Sequence, residues 1–174
     1  MLDLRSLADT TTYQSAKLNV MVEGAALCLT AVGRKPGESI GVFDSQGCTL
    51  PHVDNHKVQF KIQNDNGHWI AKERAEQLGL CIALRYVRSV CGKLVGRVPV
   101  KPREFDYYLH SLDSPLDLIG CLEVSGIERG KTPTLRKRVK SKVQRIVDKG
   151  ADDMDWIVIV AMAEPFEMSV IERP

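Results

Sequence analysis

The sequence predicts an α+β fold: an antiparallel, sandwich-like N-terminal sheet joined to a C-terminal strand-helix-strand unit that carries a basic amphipathic helix. Three observations predict it. Lys57-Val58-Gln59-Phe60-Lys61-Ile62-Gln63 alternates polar and apolar residues with a period of two, as a half-exposed antiparallel strand does. Leu135, Val139, Val143, Ile146 and Val147 fall within an arc of about 120° at helical spacing. The apolar run from Trp156 to Ala163 then follows as a buried strand. With 174 residues, 44% of them hydrophobic and 26% charged, the chain fits one globular domain spanning 1–174. The Pro-rich stretch 99–115 is the possible seam between a β-rich N-terminal part and an α/β C-terminal part.

Along the chain, Leu18, Val20 and Val22 alternate with Asn19 and Met21 and predict a first strand, and Ile40 to Phe43 a second. Turn residues bracket the Lys57–Gln63 strand: Arg34-Lys35-Pro36-Gly37 and Ser45-Gln46-Gly47 before it, Asn64-Asp65-Asn66-Gly67 after it. Ile70 to Leu78 has helix-forming composition, and Gly79 stands where a C-cap glycine would end a short helix. Cys81 to Val90 and Leu94 to Val100 return to strand character, closed by Pro99 and Pro102. Phe105, Tyr108, Leu109 and Leu112 suit either a helix or a strand, and Leu116 to Val124 a buried strand. Thr132 as N-cap, Pro133 at the first helical position and Gly150 beyond the last turn bound a helix between them. Residues 135–149 also satisfy a strand, because Val139, Val143 and Val147 share parity.

The five cysteines, Cys28, Cys48, Cys81, Cys91 and Cys121, are odd in number and form no Cys-x-x-Cys pair. Most have apolar neighbours, so they are expected to be reduced and buried. The N-terminus has no signal-peptide pattern, and the longest apolar run is too short to span a bilayer. A cytoplasmic protein with no membrane contact is expected.

Charge is the most informative feature. Between Arg129 and Lys149 nine bases face one acid, Asp148, for a local charge of +8, while the whole chain carries +2 and everything outside the tract therefore sums to −6. The helix reading places an apolar stripe toward the core and the bases on the outer face. Arg136, Lys137, Arg138, Lys140, Lys142, Arg145 and Lys149 are the candidate partner-binding residues, directed at an acidic protein or at nucleic acid. No aromatic residue interleaves with these bases in sequence, which argues against a stacking platform for single strands. A solvated face, partly balanced by Asp152, Asp153 and Asp155, is the competing structural role.

Two further constellations carry possible chemistry. Leu116-Asp117-Leu118, then Leu122-Glu123-Val124-Ser125, then the basic helix, then the strand from Trp156 to Met162 resembles the core of PD-(D/E)xK nucleases. In that family an acid followed by Glu-x-Lys on a strand binds a divalent metal, with a helix and another strand after it. The resemblance implies Asp117 and Glu123 as metal ligands. The chain departs from the pattern in having Ser125 at the lysine position and in placing both acids on what reads as one strand rather than on adjacent ones. Cys48, His52 and His56, with His68 as a fourth donor, have zinc-ligand chemistry, but Pro51 and Asp54-Asn55 make the segment a loop and no metal is expected there.

Gly-x-x-x-x-Gly-Lys-Ser/Thr and Gly-x-Gly-x-x-Gly are absent, so no nucleotide loop is indicated, and no cofactor is expected. The reading the sequence favours is a non-enzymatic interaction or accessory module that binds an acidic partner through the strip 129–149. The alternative is a metal-dependent nuclease-like domain using Asp117 and Glu123.

Overall fold

The computed structural model describes residues 1–5, 7–11, 15–44, 56–62, 69–96, 105–151 and 154–173. In chain order these form β1 (Leu2–Asp3), α1 (Ser15–Ala31), β2 (Ser39–Phe43), β3 (His56–Gln59), α2 (Ala71–Ser89), β4 (Lys93–Val95), β5 (Tyr107–Ser111), β6 (Leu118–Arg129), α3 (Thr132–Asp148), β7 (Asp155–Glu164) and β8 (Glu167–Arg173). Helices and strands coexist as an α+β fold requires. The strands, however, make one mixed eight-stranded sheet, in the order β1-β3-β2-β8-β7-β6-β5-β4, rather than an antiparallel sandwich. β4, β5 and β6 form an antiparallel meander, after which α3 carries the chain across to β7, parallel to β6. β2 joins the C-terminal half through a parallel pairing with β8.

Helices cover both faces. β7 shows why: Trp156, Val158, Val160 and Met162 pack on the side of α3, whereas Ile157, Ile159, Ala161 and Ala163 pack on the side of α1 and α2. A strand buried on both faces reads as a continuous apolar run, which is what Trp156 to Ala163 is.

Two expected strands are helices. Leu18 to Val22 lies within α1, where Leu18 is buried but Val20 is 51% exposed, so the alternation seen in sequence has no pleat behind it. The apolar run continues through Ala25, Ala26, Leu27, Cys28 and Leu29, longer than a strand and rich in helix formers. Likewise Cys81 to Val90 continues α2, and Gly79 does not end that helix. Gly79 is where α2 touches the sheet: a Cβ there would lie 2.6 Å from the Ser125 carbonyl, and one on Gly126 would collide with the Ala75 carbonyl. The two glycines let helix and strand backbones meet, and Arg74 clamps the same contact with hydrogen bonds of 2.6 and 3.1 Å to Glu128.

The basic segment is a helix. Leu135, Val139 and Ile146 are buried against β7, and Gly150 takes the left-handed conformation, φ +67°, just past the last turn. Lys131, not Thr132, is the N-cap residue; Thr132 is the first helical residue and its hydroxyl donates to Glu167 at 3.0 Å. The ambiguous segment around Tyr108 is strand β5. No helix among the described residues is long and apolar enough to cross a membrane.

Candidate functional site

The register between β5 and β6 creates the site. Pairing runs up to Tyr107 opposite Leu122 and stops there, while β6 continues to Arg129. Among the described residues, no strand pairs with this edge of β6 from Glu123 onward. Asp106, the residue just before β5, turns its carboxylate onto that edge and accepts the Val124 N–H at 2.9 Å in place of a ladder bond. Alternation along β6 sends Leu122 and Val124 toward α2 and Cys121 and Glu123 toward α3. Glu123 is 0% exposed.

Helix α3 completes the constellation. Lys142 places its Nζ 2.6 Å from Asp106 Oδ2 and 2.7 Å from Glu123 Oε2. One turn on, the Arg145 guanidinium lies 3.5 Å from Asp106 and 3.3 Å from Glu123. The other oxygen of Glu123, Oε1, is buried with no hydrogen-bond partner in the described structure. Such an orphaned carboxylate oxygen calls for a ligand or a water.

Above this cluster opens a cleft of about 500 Å³. Glu76, Gln77 and Leu80 of α2 form one wall, and Arg138, Lys142 and Arg145 of α3 form the other. Phe105, Asp106, Tyr107, Val124 and Ser125 make up the floor. Deeper along α3, Lys149 sits 5.3 Å from the centre of the Phe105 ring.

Environment sets the two acids apart. Burial first, and then repulsion from Asp106, push the Glu123 carboxyl above its ordinary range despite the hydrogen bond from Lys142. Burial opposes ionisation of Asp106 as well, but Lys142 and the Val124 N–H outweigh it and hold that carboxyl below its ordinary range. Burial also lowers the pKa of Lys149, helped by the charge of Arg145. The Cys121 thiol, on the strand position before Leu122, is pushed up to about 12, first by burial, and is not a nucleophile at neutral pH.

The structure divides the basic strip. Arg136, Lys137, Arg138 and Lys140 are exposed, with Arg138 at the cleft wall, whereas Lys142 and Arg145 turn inward onto the two acids and Lys149 onto Phe105. The sequence reading placed all seven on one outer face. Two aromatic residues, Phe105 and Tyr107, reach the cationic cleft from another strand although none interleaves with the bases in sequence.

Asp117 is exposed just before β6, and six residue steps of extended chain, about 20 Å, separate it from Glu123. Asp106, just before β5, stands instead beside Glu123 on the neighbouring strand β6. Asp106 was missed because it lies within the Pro-rich stretch 99–115 read as a seam; the available signal was an acid immediately before the apolar run Tyr107-Tyr108-Leu109. Cys48, His52 and His68 lie outside the described residues, and His56 contributes its backbone to β3.

Among the described residues no three His, Cys, Asp or Glu side chains gather to hold a metal. The site offers two carboxylates, one with an unused buried oxygen. That set fits Mg²⁺ or Mn²⁺, hard ions commonly bound by one or two carboxylates together with substrate phosphate and water. Comparison of the chain with protein-family models, with curated proteins and with solved structures finds no match.

Proposed function

We propose that the cleft is the active site of a divalent-cation-dependent phosphodiester hydrolase acting on nucleic acid. The observation that carries this reading is the convergence of Asp106, just before β5, and Glu123, on β6, on Lys142 beneath an arginine-lined opening. It supports the PD-(D/E)xK-like reading of the C-terminal half with two changes of residue: Asp106 takes the place expected of Asp117, and Lys142 on α3 supplies the lysine that Ser125 does not. Asp106 and Glu123 would hold the cation, which when bound polarises a phosphoryl oxygen as a Lewis acid. Arg138 and Arg145 bind phosphate oxygens from the α3 wall, and Lys142, freed from the acids, orients the attacking water. Outside the cleft, Arg136, Lys137 and Lys140 give the substrate backbone a cationic track. The free cysteines Cys28, Cys81, Cys91 and Cys121 support a reducing, cytoplasmic setting.

The test is incubation of the protein with single- and double-stranded DNA and RNA, with Mg²⁺ or Mn²⁺ and with chelator. Cation-dependent cleavage that Glu123→Gln abolishes is expected; no cleavage of any of them refutes the hydrolase.

A second reading keeps the strip as a docking surface for an acidic partner, without chemistry. It is favoured by the exposure of Arg136, Lys137 and Lys140, for which no ion pair occurs among the described residues. Binding of an acidic partner that reversal of those three charges removes, with no cleavage in any cation, is the outcome it requires.

A further inference from the structure

We infer that Lys142 is a resident counter-cation that occupies the acid pair, so that a divalent ion binds only in competition with its ammonium group. This rests on the hydrolase reading above and adds how access of the cation to that site is controlled. Nζ of Lys142 bridges one oxygen of each acid, at 2.6 and 2.7 Å, and the Arg145 guanidinium backs it at 3.5 and 3.3 Å. Two formal negative charges thus meet two positive ones, and the cluster is compensated as it stands. A divalent ion on the same oxygens would lie against the ammonium and leave an excess of charge beside a carboxylate that is fully buried.

Of the groups involved, Lys142 is the one built to leave. Glu123 is 0% exposed on a strand paired along β7, and Asp106 is tied to the β6 backbone through Val124. Lys142 hangs from α3 on a flexible four-carbon stem, its side chain 15% exposed at the cleft. Arg138, one turn earlier on the same wall, marks where an incoming phosphate would offer the ammonium another anion. Once Lys142 swings toward it, Asp106 Oδ2 keeps only the Val124 N–H and Glu123 Oε2 only the Arg145 guanidinium, beside the already unpartnered Glu123 Oε1. Cation and phosphodiester then enter as a pair.

The experiment is a Mn²⁺ titration of the full chain, read by the loss of the free-ion electron paramagnetic resonance signal, at fixed pH and without nucleic acid. Wild type, Lys142→Met and Lys142→Arg are compared, each also melted in chelator and in Mn²⁺. Loss of the competing charge-assisted hydrogen bonds is expected to tighten Mn²⁺ binding about ten- to hundred-fold in Lys142→Met. Lys142→Arg, which keeps the charge, is expected to retain the weak wild-type affinity. Should Lys142→Met be too unstable to titrate in chelator, its rescue by Mn²⁺ in the melt supports the competition, and failure of Mn²⁺ to raise its melting temperature more than that of wild type counts against it. Equal or weaker binding by Lys142→Met, in a protein whose wild type binds Mn²⁺, overturns the lock and leaves the hydrolase standing. Absence of binding at millimolar Mn²⁺ in both overturns the hydrolase reading and the lock with it.

Discussion

Replacing Glu123 by Gln should make the protein more stable at neutral pH while removing its proposed activity. The carboxylate is fully buried, and its two basic partners do not depend on it alone, since Lys142 and Arg145 also contact Asp106. Gln has the same shape, and its carbonyl oxygen can still accept from Lys142 at the position of Oε2, where the native distance is 2.7 Å. Removing a buried charge while its partners stay paired is neutral or stabilising, here by about 1 kcal/mol, or roughly 2–4 °C in melting temperature for a chain of this size. The pH dependence follows from direction. Glu123 has a folded-state pKa above its ordinary value of 4.5, so its favourable contribution is fully present below that value and is lost as pH rises through the folded pKa. The advantage of Gln over Glu should therefore be largest near pH 7–8 and vanish toward pH 4.5. Asp106 behaves oppositely: its contribution is present above its ordinary 3.8 and is lost in both proteins as pH falls through a still lower folded value. Differential scanning calorimetry of the two proteins from pH 4 to 8 checks this. A drop of roughly 10 °C at neutral pH on Glu123→Gln, the signature of orphaned Lys142 and Arg145 charges, would refute the reasoning.

Other consequences are simpler to state. Gly79→Ala places a methyl 2.6 Å from the Ser125 carbonyl and should destabilise by about 1–3 kcal/mol in urea unfolding, because backbone on both sides must give. Reversing Arg136, Lys137 and Lys140 to Glu, all exposed, should leave unfolding within about 0.5 kcal/mol per site. It should still weaken nucleic-acid binding and flatten its salt dependence by roughly 0.7–0.9 in log-log slope per lost phosphate contact, measured by fluorescence anisotropy across salt. An unchanged slope would mean that the three residues are only solvated.

What the sequence discloses follows its local periodicities. α3 could be read because Leu135, Val139 and Ile146 repeat at helical spacing and Gly150 closes the last turn; β7 could be read because a doubly covered strand is apolar throughout. α1 and the second half of α2 could not, since continuous apolar runs around Leu27 and Leu84 suit a buried helix as well as a strand, whereas the first half of α2 showed in the helix-forming composition of Ile70 to Leu78. Gly79 mimicked a cap because close backbone approach and helix termination ask for the same residue. Parallel pairing of β6 with β7, and of β2 with β8, leaves no trace in either strand alone. The site was half legible. Glu123 and Lys142 both drew attention, one as an acid on a strand and the other as one of many bases, but nothing local says that they meet at 2.7 Å. Asp106 entered only through strand register, which sequence spacing does not reveal.

The most direct measurement sets Asp106 against Asp117. Wild type, Asp106→Asn and Asp117→Asn are incubated with labelled DNA and RNA in Mn²⁺, and cleavage is followed on denaturing gels. Cleavage by wild type and Asp117→Asn, and its loss in Asp106→Asn, is the predicted result. Cleavage that survives Asp106→Asn, or that no protein shows, would contradict an active site built where β5 begins beside Glu123 of β6.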